Sequence, residues 1–346
     1  MSSVPVVAIV GNDVPRQLVL GAGAIAYRLT GSWRGPIDPA AAQLLGAVDA
    51  PAARILTELT AGRVECDALI VSADSQAHVR LFYVLRAIAP HLAMHLLDLP
   101  HAESSAARRF AHVQLESLTT FLTGVSGRPA DIASLTAAAQ AERELGRSIA
   151  RLRDRRRAVP PRCSGTVALE AMIAASRLTL SDAVARVDGA RSDVAASATR
   201  IHVTGSDHPD ADLYRELEEQ ACVVVSEDHD TGDAAWLGAA ADGADVDEVL
   251  ENLLDQHFAR VGGSATASSA ARARLTRDAV VQSRAERVVG IIRDLDEAPA
   301  WDVADQAALL AGIEVPFRVR TRVAPGGEGD AVGGLVHAPA GEAVSA

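Results

Sequence analysis

The stretch that decides the fold is Arg200–Asp233, RIHVTGSDHPDADLYRELEEQACVVVSEDHDTGD. Ile201 to Thr204 is a short β-rich run, and Gly205, Ser206 and Asp207 form a turn. Pro209 suits the first turn of a helix. Leu213, Leu217 and Ala221 recur at helical spacing, with acidic residues on the other face. Cys222 to Val225 is a continuous apolar run, the pattern of a strand buried on both faces. It ends in a loop rich in acidic residues, Glu227, Asp228, Asp230 and Asp233, with His229 among them. Strand, helix and strand in this order predict a parallel α/β unit. In such folds ligands sit outside the carboxyl ends of the strands, so the SEDHDTGD loop is the first place to look for a site.

The same grammar is written earlier in the chain. Val6–Val10 and Ala24–Leu29 read as strands. Pro39–Leu59 reads as a helix, Asp67–Ser72 as a buried strand, Gln76–Ile88 as a helix and Ala93–Leu99 as a strand. Alternation of this kind predicts a parallel sheet. From Glu103 to about Asp193 the pattern is helical only. After the acidic loop come helices over Val246–Phe258, Ala270–Arg284 and Trp301–Ala311, and strands over Arg287–Arg293 and Val315–Thr321. The expected division is an N-terminal α/β domain (1–102), a helical connector (103–195), a C-terminal α/β domain (196–323) and a Gly-, Ala- and Pro-rich disordered tail (324–346).

Composition narrows the function classes. Aromatic residues make up 3% of the 346, so a stacking surface for nucleic acid is not expected. A net charge of −12 also argues against nucleic acid and anionic membranes as partners. The sequence contains no lysine, which excludes Schiff-base chemistry and a P-loop. Three cysteines, Cys66, Cys163 and Cys222, match no metal or disulfide spacing and suit a reducing cytoplasm. No apolar run reaches the roughly 18 residues of a membrane span. MSSVPVVAIV reads as a first strand rather than a signal peptide. Gly21-Ala22-Gly23 follows a helical pattern, not a strand, and so lacks the context of a dinucleotide fingerprint.

Several groups carry possible chemistry. Asp74 follows the DALIVS strand, Asp228, His229, Asp230 and Asp233 follow the central strand of the opening stretch, and Asp294, Asp296 and Glu297 follow RVVGII. If these loops share a cleft, neighbouring carboxylates raise one another's pKa. His229 is then a candidate acid or base, and oxygen and imidazole groups could hold a divalent cation. Asp228, Asp230, Asp296 and Asp74 join His229 as catalytic candidates, with Ser206, Thr231 and Gly232 as substrate contacts. The same residues also read as helix caps and solvated loop residues. Ser206 or Asp207 reads first as a helix cap. The arginine-rich run Arg147–Arg162 is either a solvated helix end, where cations suit the dipole, or a contact for coenzyme phosphates. His202 reads as part of a polar sheet face, and Trp236 and Trp301 as packing beside the cleft.

Taken in order, VPRQLVLGAGAIAYRLTG (14–31), DALIVSADS (67–75), MHLLDLP (94–100), VPPRCSG (159–165), RIHVTGSDHPDADLY (200–214), VVVSEDHDTGD (223–233), VVGII (288–292) and GIEVP (312–316) resemble the D-component family of 2-hydroxyacyl-CoA dehydratases and benzoyl-CoA reductases. The resemblance implies two flavodoxin-like parallel-sheet domains joined by a helical connector, and pairing with a related subunit in a heterodimer. It implies acyl-CoA chemistry in which an iron–sulfur cluster, fed by an ATP-hydrolysing activator, delivers one electron to a thioester and a ketyl radical follows. Family members hold the cluster with cysteines at strand ends. In this alignment those positions are Ala73, Asp230 and Asp296, with a further one near Ala50. Iron–sulfur clusters need thiolates, so no cofactor is expected in this chain, and the cluster is assigned to a homologous partner. The expected function is a cluster-lacking subunit of a dehydratase-type lyase. The alternatives are a non-redox acyl-CoA enzyme using the cleft Asp and His residues, and a non-catalytic scaffold.

Overall fold

The structure, a computed structural model, describes residues 4–337. The first half opens with β1 (Val6–Val10), α1 (Arg16–Gly21), β2 (Ile25–Arg28), α2 (Pro39–Leu45), α3 (Ala50–Thr60), β3 (Ala68–Ser72), α4 (Gln76–Ile88) and β4 (Ala93–Leu97). Four helices follow: α5 (Ser105–Ser126), α6 (Ile132–Arg157), α7 (Gly165–Ala175) and α8 (Leu180–Gly189). The second half comprises β5 (Thr199–Gly205), α9 (Asp212–Glu218), β6 (Cys222–Glu227), α10 (Val246–Ala259), α11 (Ser269–Ser283) and β7 (Arg287–Arg293). A 3₁₀ turn (Ala298–Trp301), α12 (Val303–Ala311), β8 (Phe317–Val323) and α13 (Glu328–His337) complete it.

The strands form two four-stranded sheets, ordered β2-β1-β3-β4 and β6-β5-β7-β8, and every pairing is parallel. Each order is 2-1-3-4, the flavodoxin-like arrangement, in which the chain runs outward in one direction from the first strand and then returns to its other side. β3 and β6 are buried along their whole length, as their unbroken apolar runs require.

Helices cover both faces of each sheet. On the first, α1 and α5 close one face, and α2, α3 and α4 the other. α10 also joins the first core: Val249, Leu250, Leu253 and Leu254 pack in it, although the segment follows β6 in sequence. The second sheet is covered by α9 and α13 on one side and by α11 and α12 on the other. Helices α6, α7 and α8 share a separate apolar core.

Most helices begin on a side-chain cap. Ser75, Ser104, Ser164, Asp245 and Ser268 each accept a hydrogen bond from a first-turn N–H, and Asp131 and Ser134 form a reciprocal capping box on α6. Asp49 caps α3, which is why the helix expected over Pro39–Leu59 is two helices. Gly21 ends α1, and Gly21-Ala22-Gly23 leads into β2 rather than out of a strand. The expectation of a disordered tail from 324 is corrected in part. α13 lies within it, and Ala331, Val332 and Leu335 are buried against the second sheet's core. The rest of that stretch, 338–346, is outside the described residues.

A cleft between the carboxyl ends of the two sheets

In a 2-1-3-4 sheet the crevice lies beyond the carboxyl ends of the first and third strands. Here the loops after β1 and β3 meet the loops after β5, β6 and β7, so the two crevices open into one cleft. Its cavity is about 90 Å³, room for roughly three water molecules at about 30 Å³ each. Asp74, Ser206, Asp228, His229, Asp230 and Asp296 all border it, drawn from four separate loops or strand ends. Thr231 and Gly232 are not among its lining residues. Thr231 Oγ1 donates to the His208 carbonyl 2.8 Å away, and Gly232 packs on Glu227, where a Cβ would lie 2.4 Å from Oε1.

The first sheet contributes Asn12, Asp74 and His78. Asp74 Oδ2 accepts the Asn12 backbone N–H at 2.6 Å, and Oδ1 lies 2.6 Å from His78 Nδ1. This close approach depends on Gly11, whose φ is +95° and whose missing Cβ would stand 2.6 Å from Asp74 Oδ2. His78 sits in the first turn of α4, its N–H held by the Ser75 cap. Burial opposes its charge, but Asp74 outweighs that and raises its pKa above the ordinary imidazole value, with Asp49 and Asp230 adding to the effect. With Nδ1 bound to Asp74, Nε2 is the nitrogen left for the cleft that His78 lines. The sequence reading missed His78. Its signal was a histidine four residues after Asp74, just inside a capped helix.

Asp230 faces it from the second half. Its Oδ2 and its carbonyl both take hydrogen bonds of 2.7 Å from Arg28, across from the first sheet, and its N–H donates to Asp207 Oδ1 at 2.8 Å. Burial raises its pKa to about 6 against the pull of Arg28, and the neighbouring Asp207 carboxylate pushes the same way. Asp296 is also raised by burial, although Arg293 and Ser206 favour its ionised form. Arg293 reaches on to Asp49 at 2.8 Å, tying the second sheet to the cap of α3. Ser206 is not a helix cap: its Oγ accepts the Arg293 N–H at 2.9 Å and pins the β5 turn to β7.

Asp228 and His229 border the cleft but are anchored within the protein. Asp228 is 2% exposed. It pairs with Arg272 at 3.2 Å, accepts from Thr204 and Thr276, and is flanked by His202. Despite its burial, Arg272 and these donors hold its carboxyl well below the usual carboxylate range. His202 does lie on a polar face of the sheet, with Thr204, but that face is buried: its ring sits between Ser226 and Asp228. His229 is 1% exposed, with Nε2 2.7 Å from the Tyr214 hydroxyl and Nδ1 2.9 Å from Thr231 Oγ1. Both ring nitrogens are occupied, and burial lowers its pKa. These two hydrogen bonds brace His229 within its own loop at the border of the cleft.

The arginine run divides: Arg147 is exposed, while the last turn of α6 is drawn into the protein. Arg156 is buried against Glu227 in a two-pronged ion pair, and Arg153 and Arg157 each lie 2.8 Å from Asp233. Three guanidiniums thereby clamp the 227–233 loop from beneath. Asn12 clamps it from the other side, donating to the Ala234 carbonyl and accepting from Trp236 N–H. Trp236 is buried there with the Arg260 guanidinium 4.3 Å over its ring, whereas Trp301 is 80% exposed rather than packed.

No thiol lines the cleft among the described residues. Cys222 begins β6 and Cys66 precedes β3, so both lie at the amino ends of their strands. Cys163 is buried in the core of α6, α7 and α8. Burial raises the pKa of all three. Among the described residues, no group of three or more His, Cys, Asp or Glu side chains is placed to hold a metal ion. No helix among them is long and apolar enough to cross a membrane.

Compared with known families, residues 12–292 match the one described as 2-hydroxyglutaryl-CoA dehydratase, D-component. No curated protein matches the chain.

Proposed function

Since the chain belongs to the 2-hydroxyglutaryl-CoA dehydratase D-component family, we propose that it is the cluster-lacking subunit of an acyl-CoA dehydratase or reductase whose iron–sulfur cluster resides in a homologous partner. The observation that carries this reading is the chemistry of the cleft lining. Where the resemblance places cluster ligands, the chain has Asp230 and Asp296, which line the cleft, and Ala73, which precedes the lining residue Asp74. An alanine methyl cannot ligate iron, and clusters are held by thiolates. The three cysteines do not substitute, because they lie away from the cleft and burial raises their pKa, which disfavours the thiolate. These residues do not fit a cluster.

What the cleft does offer is proton handling. Asp74 fixes the tautomer of His78, so that Nδ1 carries the shared proton and Nε2 can accept or donate. Asp230, with a pKa of about 6, exchanges its proton near neutral pH. This favours a second reading, a non-redox acyl-CoA enzyme that works without a partner.

Co-purification from the native host with metal analysis separates the two. The first reading expects a stable complex with a cysteine-bearing homologue, iron following the partner, and no loss of iron when Cys66, Cys163 and Cys222 are replaced by serine. Iron retained by the isolated chain and lost in those variants overturns it. An iron-free chain that turns over an acyl-CoA alone selects the second reading. A partner of another fold with no acyl-CoA turnover leaves a scaffold.

A further inference from the structure

A second concavity adjoins the cleft. It has a cavity of about 670 Å³, within the roughly 300–1,000 Å³ typical of small-ligand sites. It shares Ala234 and Val261 with the cleft, so the two are separated only by the 233–236 segment and the stretch after α10. One wall is a face of α6 that carries Arg143, Arg147, Ala150 and Arg153, with Gly146 packed directly on the Gly238 backbone.

The charge of this groove is uneven. Its one lining carboxylate, Asp233, is shared among Arg153, Arg156 and Arg157. Arg260 is committed to Asp13 at 2.7 Å and to the ring of Trp236. Arg143 meets only Asp242, a carboxylate 72% exposed. Arg147 is exposed and makes no hydrogen bond or ion pair among the described residues. The groove thus presents an uncompensated guanidinium, and a second one weakly held, above an apolar floor that includes Ile149, Leu237 and Leu275. Guanidiniums bind phosphate oxygens in two-pronged, charge-assisted pairs.

We propose that this groove receives the phosphorylated end of a coenzyme A thioester, Arg147 and Arg143 taking its phosphates while the pantetheine arm passes Ala234 and Val261 into the cleft. This rests on the acyl-CoA reading above and adds where the ligand's anionic end is held. The cleft's own cavity is too small for such a ligand, so most of it must lie elsewhere. The adjoining groove has the size and the sign of charge for that part.

Calorimetric titration of the full chain, and of the co-purified complex, tests it with three probes: an acyl-CoA, the matching pantetheine thioester without phosphates, and adenosine 3′,5′-bisphosphate. Arg147→Ala is expected to weaken acyl-CoA binding about tenfold, and Arg147→Glu further, with the pantetheine thioester unchanged. The bisphosphate should compete with acyl-CoA for the wild type and fail to do so for Arg147→Glu. Arg109→Ala, an exposed substitution on α5, should change nothing. Unaltered acyl-CoA affinity in both Arg147 variants overturns the proposal and leaves the acyl-CoA reading standing. Equal losses for both thioesters overturn it too, since phosphate recognition would not be what was removed. Wild-type protein that binds neither thioester sinks the acyl-CoA reading and this proposal together. Arg147 supports no other side chain, so its variants should melt at the wild-type temperature.

Discussion

Arg156, in the last turn of α6, and Glu227, at the carboxyl end of β6, form a bidentate ion pair with side chains 2% and 1% exposed. The pair joins the helical layer to the second sheet directly beneath the cleft. Glu227 also accepts the Asp233 N–H at 3.0 Å and the Tyr214 hydroxyl at 3.3 Å. Its oxygens therefore set the path of the loop that carries Asp228, His229 and Asp230.

Removing one member of such a pair leaves a buried charge unmatched. Arg156→Ala is expected to cost about 3–5 kcal/mol in urea denaturation. Arg147→Ala, on the same helix but exposed, should stay within about 0.5 kcal/mol. Replacing both members together, as Arg156→Met with Glu227→Gln, should recover part of the loss, because the uncompensated charge is then gone. A cost below about 1 kcal/mol for Arg156→Ala would mean that the pair does not anchor the loop.

Asp230 gives stability a distinctive pH dependence. Its pKa is raised to about 6 in the folded chain, from an ordinary 3.8. Between those values the folded state keeps a proton that the unfolded state has released. Stability from this group is thus present in full below about pH 4 and is lost as pH rises to about 6, by up to about 3 kcal/mol. Asp230→Asn cannot titrate. The difference in stability between wild type and variant should therefore shift in the variant's favour across that window and level off above it. Denaturation at intervals from about pH 4 to pH 7 measures this, and a flat difference contradicts the raised value.

The fold was legible in the sequence because burial on both faces of a parallel strand leaves an unbroken apolar signature, as in Ala68–Ser72 and Cys222–Glu227. The meeting of Asp74, Ser206, Asp230 and Asp296 was legible too, since strand-end loops of a parallel sheet converge. Partnership was not legible. Nothing local distinguishes Asp228, buried against Arg272, from Asp230, held by Arg28, because both arginines come from remote parts of the chain. His229 looked available because Tyr214, which occupies it, belongs to a different element. His78 went unnoticed because its value depends on a hydrogen bond to Asp74 that exists only once α4 is capped. The arginines of α6 looked solvated because their targets lie some 70 to 80 residues further on.

The contact between Asp74 and His78 predicts that Asp74 governs the His78 titration. Burial by itself would lower the His78 pKa, and Asp74 is the chief group that raises it instead. Asp74→Asn should therefore bring it down, which imidazole NMR resonances followed against pH report directly. The sign for stability follows. A raised imidazole pKa contributes stability that is fully present below the ordinary value of 6.5 and is lost as pH climbs through the folded value. The variant should lose that contribution on the acid side and differ little from wild type in alkali. A His78 titration unmoved by Asp74→Asn would separate the two residues.

Gly11 is where backbone geometry and cleft chemistry can be tested together. Its φ of +95° disfavours any side chain, and a Cβ there would stand 2.6 Å from both Asp74 Oδ2 and Ser72 Cβ. Gly62 also has positive φ, at +66°, but nothing lies within 4 Å of the Cβ it lacks. Gly62→Ala should cost only the left-handed backbone penalty, about 1–2 kcal/mol. Gly11→Ala should cost more, because Asp74 must also move off the Asn12 N–H. That displacement has a signature that general destabilisation lacks. The His78 titration in Gly11→Ala should fall toward that of Asp74→Asn, whereas in Gly62→Ala it should match wild type. If Gly11→Ala loses stability with His78 unmoved, the glycine serves the turn alone and has no part in placing the carboxylate.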